Sequence, residues 1–332
     1  MQILCALRTF SRPAGVIATF AAAAAIWLST PDSSSADQLS VSQYARVTAT
    51  LPWAVASKKG FFEEAGLEIE DIIAGAGGGT TLRNMLASDL PYGEVAMSAA
   101  LAAIRQGVDI IVVNVASDHI GEMVLATMPD SPLNSVNDLD GKKAGYTNPK
   151  STSEILLQIA LKNAGMLGKV ELIPTGGFGP GLTALGAGGI DAAPLTDPIL
   201  SLEPEKYKPI FAFGELVPRI SWLVGVATRE FAESNPEKLR KLIAVRRKAV
   251  DYIYDNPDEA AAIYAEVWER DKADVDKFFP KYFEMADLWS RGNFVDEGLT
   301  AMSDGQQLVG EISEPVDWST VVDRSYLPED LQ

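Results

Sequence analysis

The sequence predicts an α/β fold of two lobes, each a mainly parallel sheet flanked by helices, with a hinge of two crossing strands between them. Three observations carry this expectation. Strand-like and helix-like stretches alternate along most of the chain, which is the pattern of parallel βαβ units with right-handed crossovers. A unit recurs at an offset of 99 residues, placing Ala65-Gly66 on Ala164-Gly165 and Gly77-Gly78 on Gly176-Gly177, with a strand between the pairs in both copies. The length of 332 residues is about twice the ~150-residue scale of one domain.

Taken in order, the N-terminus reads as an address rather than as fold. Met1 to Pro13 carries Arg8 and Arg12 and no acid, and Ala14 to Leu28 is an unbroken run of apolar or small residues. Such a run is shorter than the roughly 20 residues a spanning helix needs, and with its basic flank it predicts a secretory signal over residues 1–36, cleaved after Ala36 in Ser34-Ser35-Ala36. Cys5 precedes the apolar run, so it is not the lipidated cysteine of a lipoprotein signal. Cleavage removes that only cysteine and moves the net charge from −17 to −18. A cysteine-free exported chain of this size relies on its core instead of disulfides.

The first copy reads as a strand at Val47–Thr50, a helix at Val55–Ala65, a strand at Glu68–Ile73, the cluster Gly75-Ala76-Gly77-Gly78-Gly79, a helix at Thr81–Ala87 and a strand at Gly93–Met97. The second reads as a strand at Lys143–Thr147, a helix at Glu154–Asn163, a strand at Val170–Pro174, a helix at Leu182–Ala187 and a strand at Ile190–Leu195. The apolar runs Ile110–Val115 and Glu122–Thr127 carry the chain to the second lobe, and Trp222–Ala227 carries it back. Lobe I is therefore expected to comprise residues 37–117 and 226–332, and lobe II residues 118–225. Beyond Glu230 the chain turns helical, with Leu239, Leu242, Ile243, Val250 and Ile253 forming one apolar stripe and Asn-Pro pairs at 235 and 256 opening new helices.

The candidate chemistry collects at helix starts. In parallel α/β lobes, ligands sit beyond the carboxyl ends of strands, where the following helices present free N–H groups. Gly77 to Thr81 supplies bare amides at Gly78 and Gly79 and hydroxyls at Thr80 and Thr81; Ser98 opens another helix. In the second copy, Thr147 and the run Ser151, Thr152, Ser153 precede a helix with capping-box spacing to Glu154. Gly177 and Phe178 lie in a glycine-rich turn, and Thr196-Asp197-Pro198 places proline in a first turn. Converging helix starts favour an anionic or strongly polar small ligand. Arg83, Arg105, Lys150 and Arg219 are the cations near these junctions, in competition with the abundant acids. Trp53, Phe178 and Trp222 offer surfaces on which a flat ligand can stack. Gly77 to Thr81 lacks the Gly-Lys-[Ser/Thr] ending of a P-loop and does not match GxGxxG.

Composition excludes other classes. With 28 Lys+Arg against 45 Asp+Glu, the chain lacks the basic surface that nucleic acid or anionic lipid requires. One His and one Cys cannot build a multi-His or multi-Cys metal site, so neither a metal nor a cofactor is expected. His119 is a lone imidazole in the first crossing and reads as structural.

Leu51 to Leu67 (LPWAVASKKGFFEEAGL), the glycine cluster with its helix, Ser135 to Met166, Gly189-Ile190-Asp191 and Trp222 to Leu239 resemble the substrate-binding proteins of nitrate/sulfonate/taurine and thiamine-precursor ABC importers. The resemblance covers essentially the whole chain after residue 36. It implies a type II periplasmic-binding fold, a monomer in the periplasm that closes on its ligand by hinge motion and docks on a membrane permease. Position by position it puts the cleft at Trp53, Gly78 to Thr81, Ser98, Thr147, Ser151 to Ser153, Gly177, Phe178, Thr196 and Asp197. The implied ligand is a sulfonate, carboxylate or heterocycle. A pyrimidine synthase of thiamine biosynthesis shares the resemblance and is the enzyme alternative, but its active-site His and cysteine-rich segment have no counterpart here. A periplasmic sensor partner for a receptor is the third reading.

Overall fold

The computed structural model describes residues 37–217 and 219–332. The expected export signal, residues 1–36, lies outside them, as does the side chain of Asp197.

The chain opens with β1 (Asp37–Ser42), a 3-10 turn (Thr48–Thr50), α1 (Leu51–Lys58), α2 (Phe61–Glu64), β2 (Ile69–Gly75), α3 (Gly78–Leu86), β3 (Tyr92–Ala96), α4 (Met97–Arg105) and β4 (Ile110–Ser117). It continues through β5 (Met123–Thr127), β6 (Lys143–Tyr146), α5 (Thr152–Asn163), β7 (Glu171–Pro174), α6 (Phe178–Gly186), β8 (Ala193–Thr196), α7 (Asp197–Leu202), β9 (Lys208–Ala212) and α8 (Phe213–Leu216). After β10 (Leu223–Thr228) come α9 (Arg229–Ser234), α10 (Pro236–Asp255), α11 (Pro257–Val267), α12 (Lys272–Phe278), α13 (Asp296–Leu308) and α14 (Trp318–Val321).

The first strand begins ten residues earlier than expected. In Asp37–Ser42 the buried Leu39 and Val41 alternate with Ser40 and Ser42, a strand's period of two. Val47–Thr50 is not a strand, because the amides of Thr48 and Ala49 donate to the Glu122 carboxylate, at 2.6 and 3.2 Å, instead of to a neighbouring ladder.

The first sheet has the order β2-β1-β3-β10-β4. A second sheet, β8-β5-β9, is bridged to the pair β6-β7 through Ala144 and Ala192, and the Gly145 amide donates to the Ala192 carbonyl at 2.8 Å. Read through that bridge, the order is β7-β6-β8-β5-β9, the same as in the first sheet. The duplication is therefore real in topology, and its structural offset is 100 in the glycine region: α3 and α6 begin at 78 and 178, α4 and α7 at 97 and 197.

The sheets are mainly parallel, as expected, with one reversed strand in each: four of the five strands share a direction, and β10 or β5 runs against them. β1 runs parallel to β2 and β3, and β6 to β7. β10 is antiparallel to β3 and β4, and β5 to β8 and β9. The reason is connectivity: each of β5 and β10 enters its sheet directly from the other one, so it arrives at the end from which the chain left. The expected crossing strands are accordingly sheet members, and the chain crosses in the short connections 118–122 and 213–222.

The helices after β10 complete the core. Leu239, Leu242, Ile243, Val250 and Ile253 of α10 are all buried, packing against α1 as their stripe requires. Among the described residues, no helix is long and apolar enough to cross a membrane.

Candidate ligand cleft

One contact joins the two sheet systems at their helix starts: Ser98 Oγ in the first turn of α4 lies 3.2 Å from Thr152 Oγ1 at the start of α5. α4 has nine residues and α5 twelve, so each brings the positive end of a helix dipole to this junction. Ser98 is only 5% exposed. The Trp222 carbonyl accepts from the Met97 amide at 2.9 Å, tying α4 to the returning connection.

Around Thr152 the hydroxyls largely satisfy one another. Thr147 Oγ1 lies 3.1 Å from Ser151 Oγ and 2.8 Å from Ser153 Oγ, and the two serine oxygens are 3.0 Å apart. Ser151 is the N-cap of α5 and accepts from Glu154, while Ser153 accepts from the Thr147 amide at 2.9 Å. This trio caps a helix, whereas the Ser98 and Thr152 hydroxyls face each other.

In the first repeat, Thr80 and Thr81 separate into two roles. Thr81 is fully buried, with its hydroxyl 2.8 Å from Ser42 Oγ and donating to the Gly77 carbonyl at 3.0 Å. Thr80 stays half-buried and accepts from Arg83 at 3.1 Å. Gly78 is bare because α3 packs on α4: a Cβ there would stand 2.7 Å from that of Ala99 and 2.8 Å from that of Ala96. Gly79 is exposed. At the equivalent place in the second repeat, Gly177 is left-handed at φ 155° and Phe178 is half-buried against the core. Thr196 is buried and precedes α7, whose first turn contains Pro198.

Two of the three aromatic candidates are interior. Trp53 is fully buried in α1, stacked on Phe62 at 6.0 Å, edge-on to Tyr92, and donating from Nε1 to Glu94 at 2.8 Å. It follows a turn inside the core rather than a strand end, so its ring is not a wall for a ligand. Trp222 is 6% exposed and its Nε1 faces Ser117 Oγ at 3.0 Å and the His119 carbonyl at 3.1 Å, which makes it packing between the two connections.

Most cations are also engaged. Arg105 and Lys150 both pair with Glu311, at 2.6 and 2.7 Å. Arg219 pairs with Asp118 at 3.2 Å and Asp287 at 2.9 Å.

Sequence reasoning misses the acids of the connections. Asp118 is buried, accepts from Ser221 Oγ at 2.5 Å, and burial pushes its carboxyl up from 3.8 to about 6 against the pull of Ser221 and Arg219. Burial, with Arg219 nearby, holds the His119 imidazole below its ordinary value, and its Nδ1 accepts from the Gly121 amide at 2.9 Å. The Glu122 carboxylate holds the turn after β1. Nothing in the local sequence marks these partners, which lie about 70 to 100 residues away. A shallow hollow of about 100 Å³ between Tyr44, Phe62 and β2 shares no residue with the helix-start junction. Among the described residues, no group of three or more His, Cys, Asp or Glu side chains is gathered for a metal ion.

Residues 48–260 match the family described as NMT1/THI5 like. A provisionally named binding protein of Brucella abortus (strain 2308) is 27% identical over 276 residues, covering 80% of this chain and 83% of its own. A protein of Bacillus subtilis (strain 168), provisionally named an aliphatic sulfonates-binding protein, is 25% identical over 288 residues, covering 85% of each. Among solved structures, the alkanesulfonate-binding protein SsuA from Xanthomonas axonopodis pv. citri bound to MOPS is similar at a TM-score of 0.70 and 16% identity, over 87% of this chain and 98% of that one. The desulfurization enzyme DszB shares the fold at a TM-score of 0.59 and 15% identity, over 87% and 97%.

Proposed function

The chain belongs to the NMT1/THI5-like family, and on that premise we propose that it is the periplasmic solute-binding component of an ABC importer. Lobe I comprises residues 37–117 and 223–332, lobe II residues 118–222, the return boundary moved from the expected 226 because all of β10 belongs to the first sheet, and a small polar or anionic organic molecule is captured between them and handed to a permease. The observation that carries this reading is the Ser98–Thr152 contact, in which helix starts from the two sheet systems face each other. The names of the Brucella and Bacillus relatives support it. Gly78, Gly79, Thr80, Ser98, Thr152, Gly177, Phe178 and Thr196 form the site, with recognition by amides and hydroxyls and by the Phe178 ring.

DszB shares the fold, so catalysis is the competing class. Against it, the only thiol is Cys5, within the expected signal, and the only imidazole, His119, has its Nδ1 engaged by the Gly121 amide. The protein acts as a monomer without a cofactor.

Native mass spectrometry of the purified protein, followed by calorimetry with alkanesulfonates, aromatic carboxylates and pyrimidine heterocycles, tests the reading. Binding of one class without chemical change is expected. Turnover of any of them by the protein alone moves it to the enzymes, and a panel that neither binds nor shifts melting removes the binding role. Loss of uptake in cells lacking the protein separates import from a sensor function.

A further inference from the structure

We propose that Glu311, carried beyond the end of α13, is a latch that holds the two lobes together from outside the ligand site. The latch rests on the two-lobe reading above and adds to it a residue that controls closure. α13 runs from the returning connection to the rim of α5. Near its start, Gly298 accepts from the Ser221 amide at 3.0 Å, and an ideal Cβ on Gly298 would stand 2.7 Å from Ser221 Oγ. One heptad later, on the same face, a Cβ on Gly305 would stand 2.3 Å from Ile155 Cγ2 and 3.1 Å from Ile159 Cδ1 of α5. Beyond the helix, the two carboxylate oxygens of Glu311 divide between lobes: Oε1 takes Arg105 of α4 at 2.6 Å, and Oε2 takes Lys150, just before α5, at 2.7 Å. Arg105 also donates to the Glu311 carbonyl.

The geometry aligns this clasp with the cleft. Arg105 shares α4 with Ser98, and Lys150 stands two residues before Thr152. Lys150 is held in a left-handed conformation at φ 64°, one that a side-chain-bearing residue adopts only under constraint. Its amide donates to Glu154 at 2.5 Å. Glu311 is 13% exposed while Arg105 and Lys150 are about half exposed, so the carboxylate is the enclosed member shared by two cations. Without it, two positive groups from opposite lobes face each other, and a more open arrangement gains population.

Distance measurements between nitroxide labels test this directly. Leu86 and Leu167 are exposed, the first ending α3 and the second following α5, one in each lobe; Leu86→Cys and Leu167→Cys accept the labels in a Cys5→Ser background. The ligand-free parent is expected to give a short distance at low salt and a second, longer population at high salt, since screening weakens the pair. Glu311→Gln is expected to show the longer population at low salt. Lys150→Met, which alters only an exposed side chain, provides the same readout should Glu311→Gln fold poorly. Identical distance distributions in the parent at both salts and in either folded variant overturn the latch. Calorimetry on the same proteins keeps the two readings apart: unchanged distances with intact ligand binding remove only the latch, whereas opening without any ligand binding removes only the binding role.

Discussion

Ser98 Oγ and Thr152 Oγ1, 54 positions apart in sequence, meet at 3.2 Å across the two sheet systems. Between them they hold two O–H donors, of which one is spent on the pair, so the other is free for an acceptor. In the proposed cleft that acceptor belongs to the ligand. Ser98→Ala and Thr152→Val are each expected to weaken binding about 2- to 10-fold, the worth of one hydrogen bond, with cooperative unfolding retained. Calorimetric affinities equal to the parent's remove this junction from the site.

Arg246 and Glu94 form a buried ion pair at 2.6 Å, both nearly inaccessible. Burial pushes the Glu94 carboxyl up while Arg246 and Trp53 pull it down. Arg246 also donates to the carbonyls of Ser290 at 2.7 Å and Ala116 at 2.8 Å, stitching α10 to two other segments. Arg246→Met strands a buried carboxylate and both carbonyls, and is expected to cost about 3–5 kcal/mol. Combining it with Glu94→Gln should recover part of that loss in denaturant melts; a double variant no better than the single one contradicts the pairing.

Stability should carry a signature of Asp118. Its folded carboxyl sits at about 6 against an ordinary 3.8, so the folded state holds the proton more tightly. The resulting stabilisation is fully present below about pH 4 and is lost as pH rises toward 6. His119 has its pKa lowered, so it acts in the opposite sense, losing stability as pH falls below its ordinary value. Subtracting the melting curve of Asp118→Asn, which retains His119, isolates the carboxyl: the parent should lose melting temperature relative to the variant between pH 4 and 6. A constant difference across that window refutes the assignment.

Adjacent glycines of α3 should respond oppositely to alanine. At Gly78 the new methyl meets Ala96 and Ala99 inside ordinary contact distance, and about 1–3 kcal/mol of overpacking is expected. At Gly79 the nearest atom is the flexible end of Arg83 at 3.7 Å, so Gly79→Ala should gain up to about 1 kcal/mol from helix propensity. Thermal melts of the pair, measured side by side, decide between this and a uniform glycine effect.

The parts legible in sequence are those written locally. The apolar stripe of α10 and the Ser151 cap of α5 follow from spacing alone, and the duplication shows through its glycines. Trp53 illustrates the opposite case: an aromatic shortly after a strand suits a ligand wall equally well until Glu94, 41 residues on, is seen to take its N–H. Val47–Thr50 has strand composition, but Glu122 draws its amides into a turn. Thr81 reads as a ligand hydroxyl until Ser42 is placed beside it. The division of Arg105 and Lys150 around Glu311 likewise depends on partners far along the chain, where no periodicity reaches.

The shared strand order has a consequence in time. Each sheet keeps an interior place for a strand that arrives only after the chain has crossed: β5 fills it at once in the second sheet, whereas β10 fills it in the first only after more than a hundred residues. A chain emerging from its N-terminus therefore holds β3 and β4 unjoined until residue 228 appears, while residues 123–212 already contain every strand of the other sheet. The inserted half can finish its pairing first, and the outer half closes around it last.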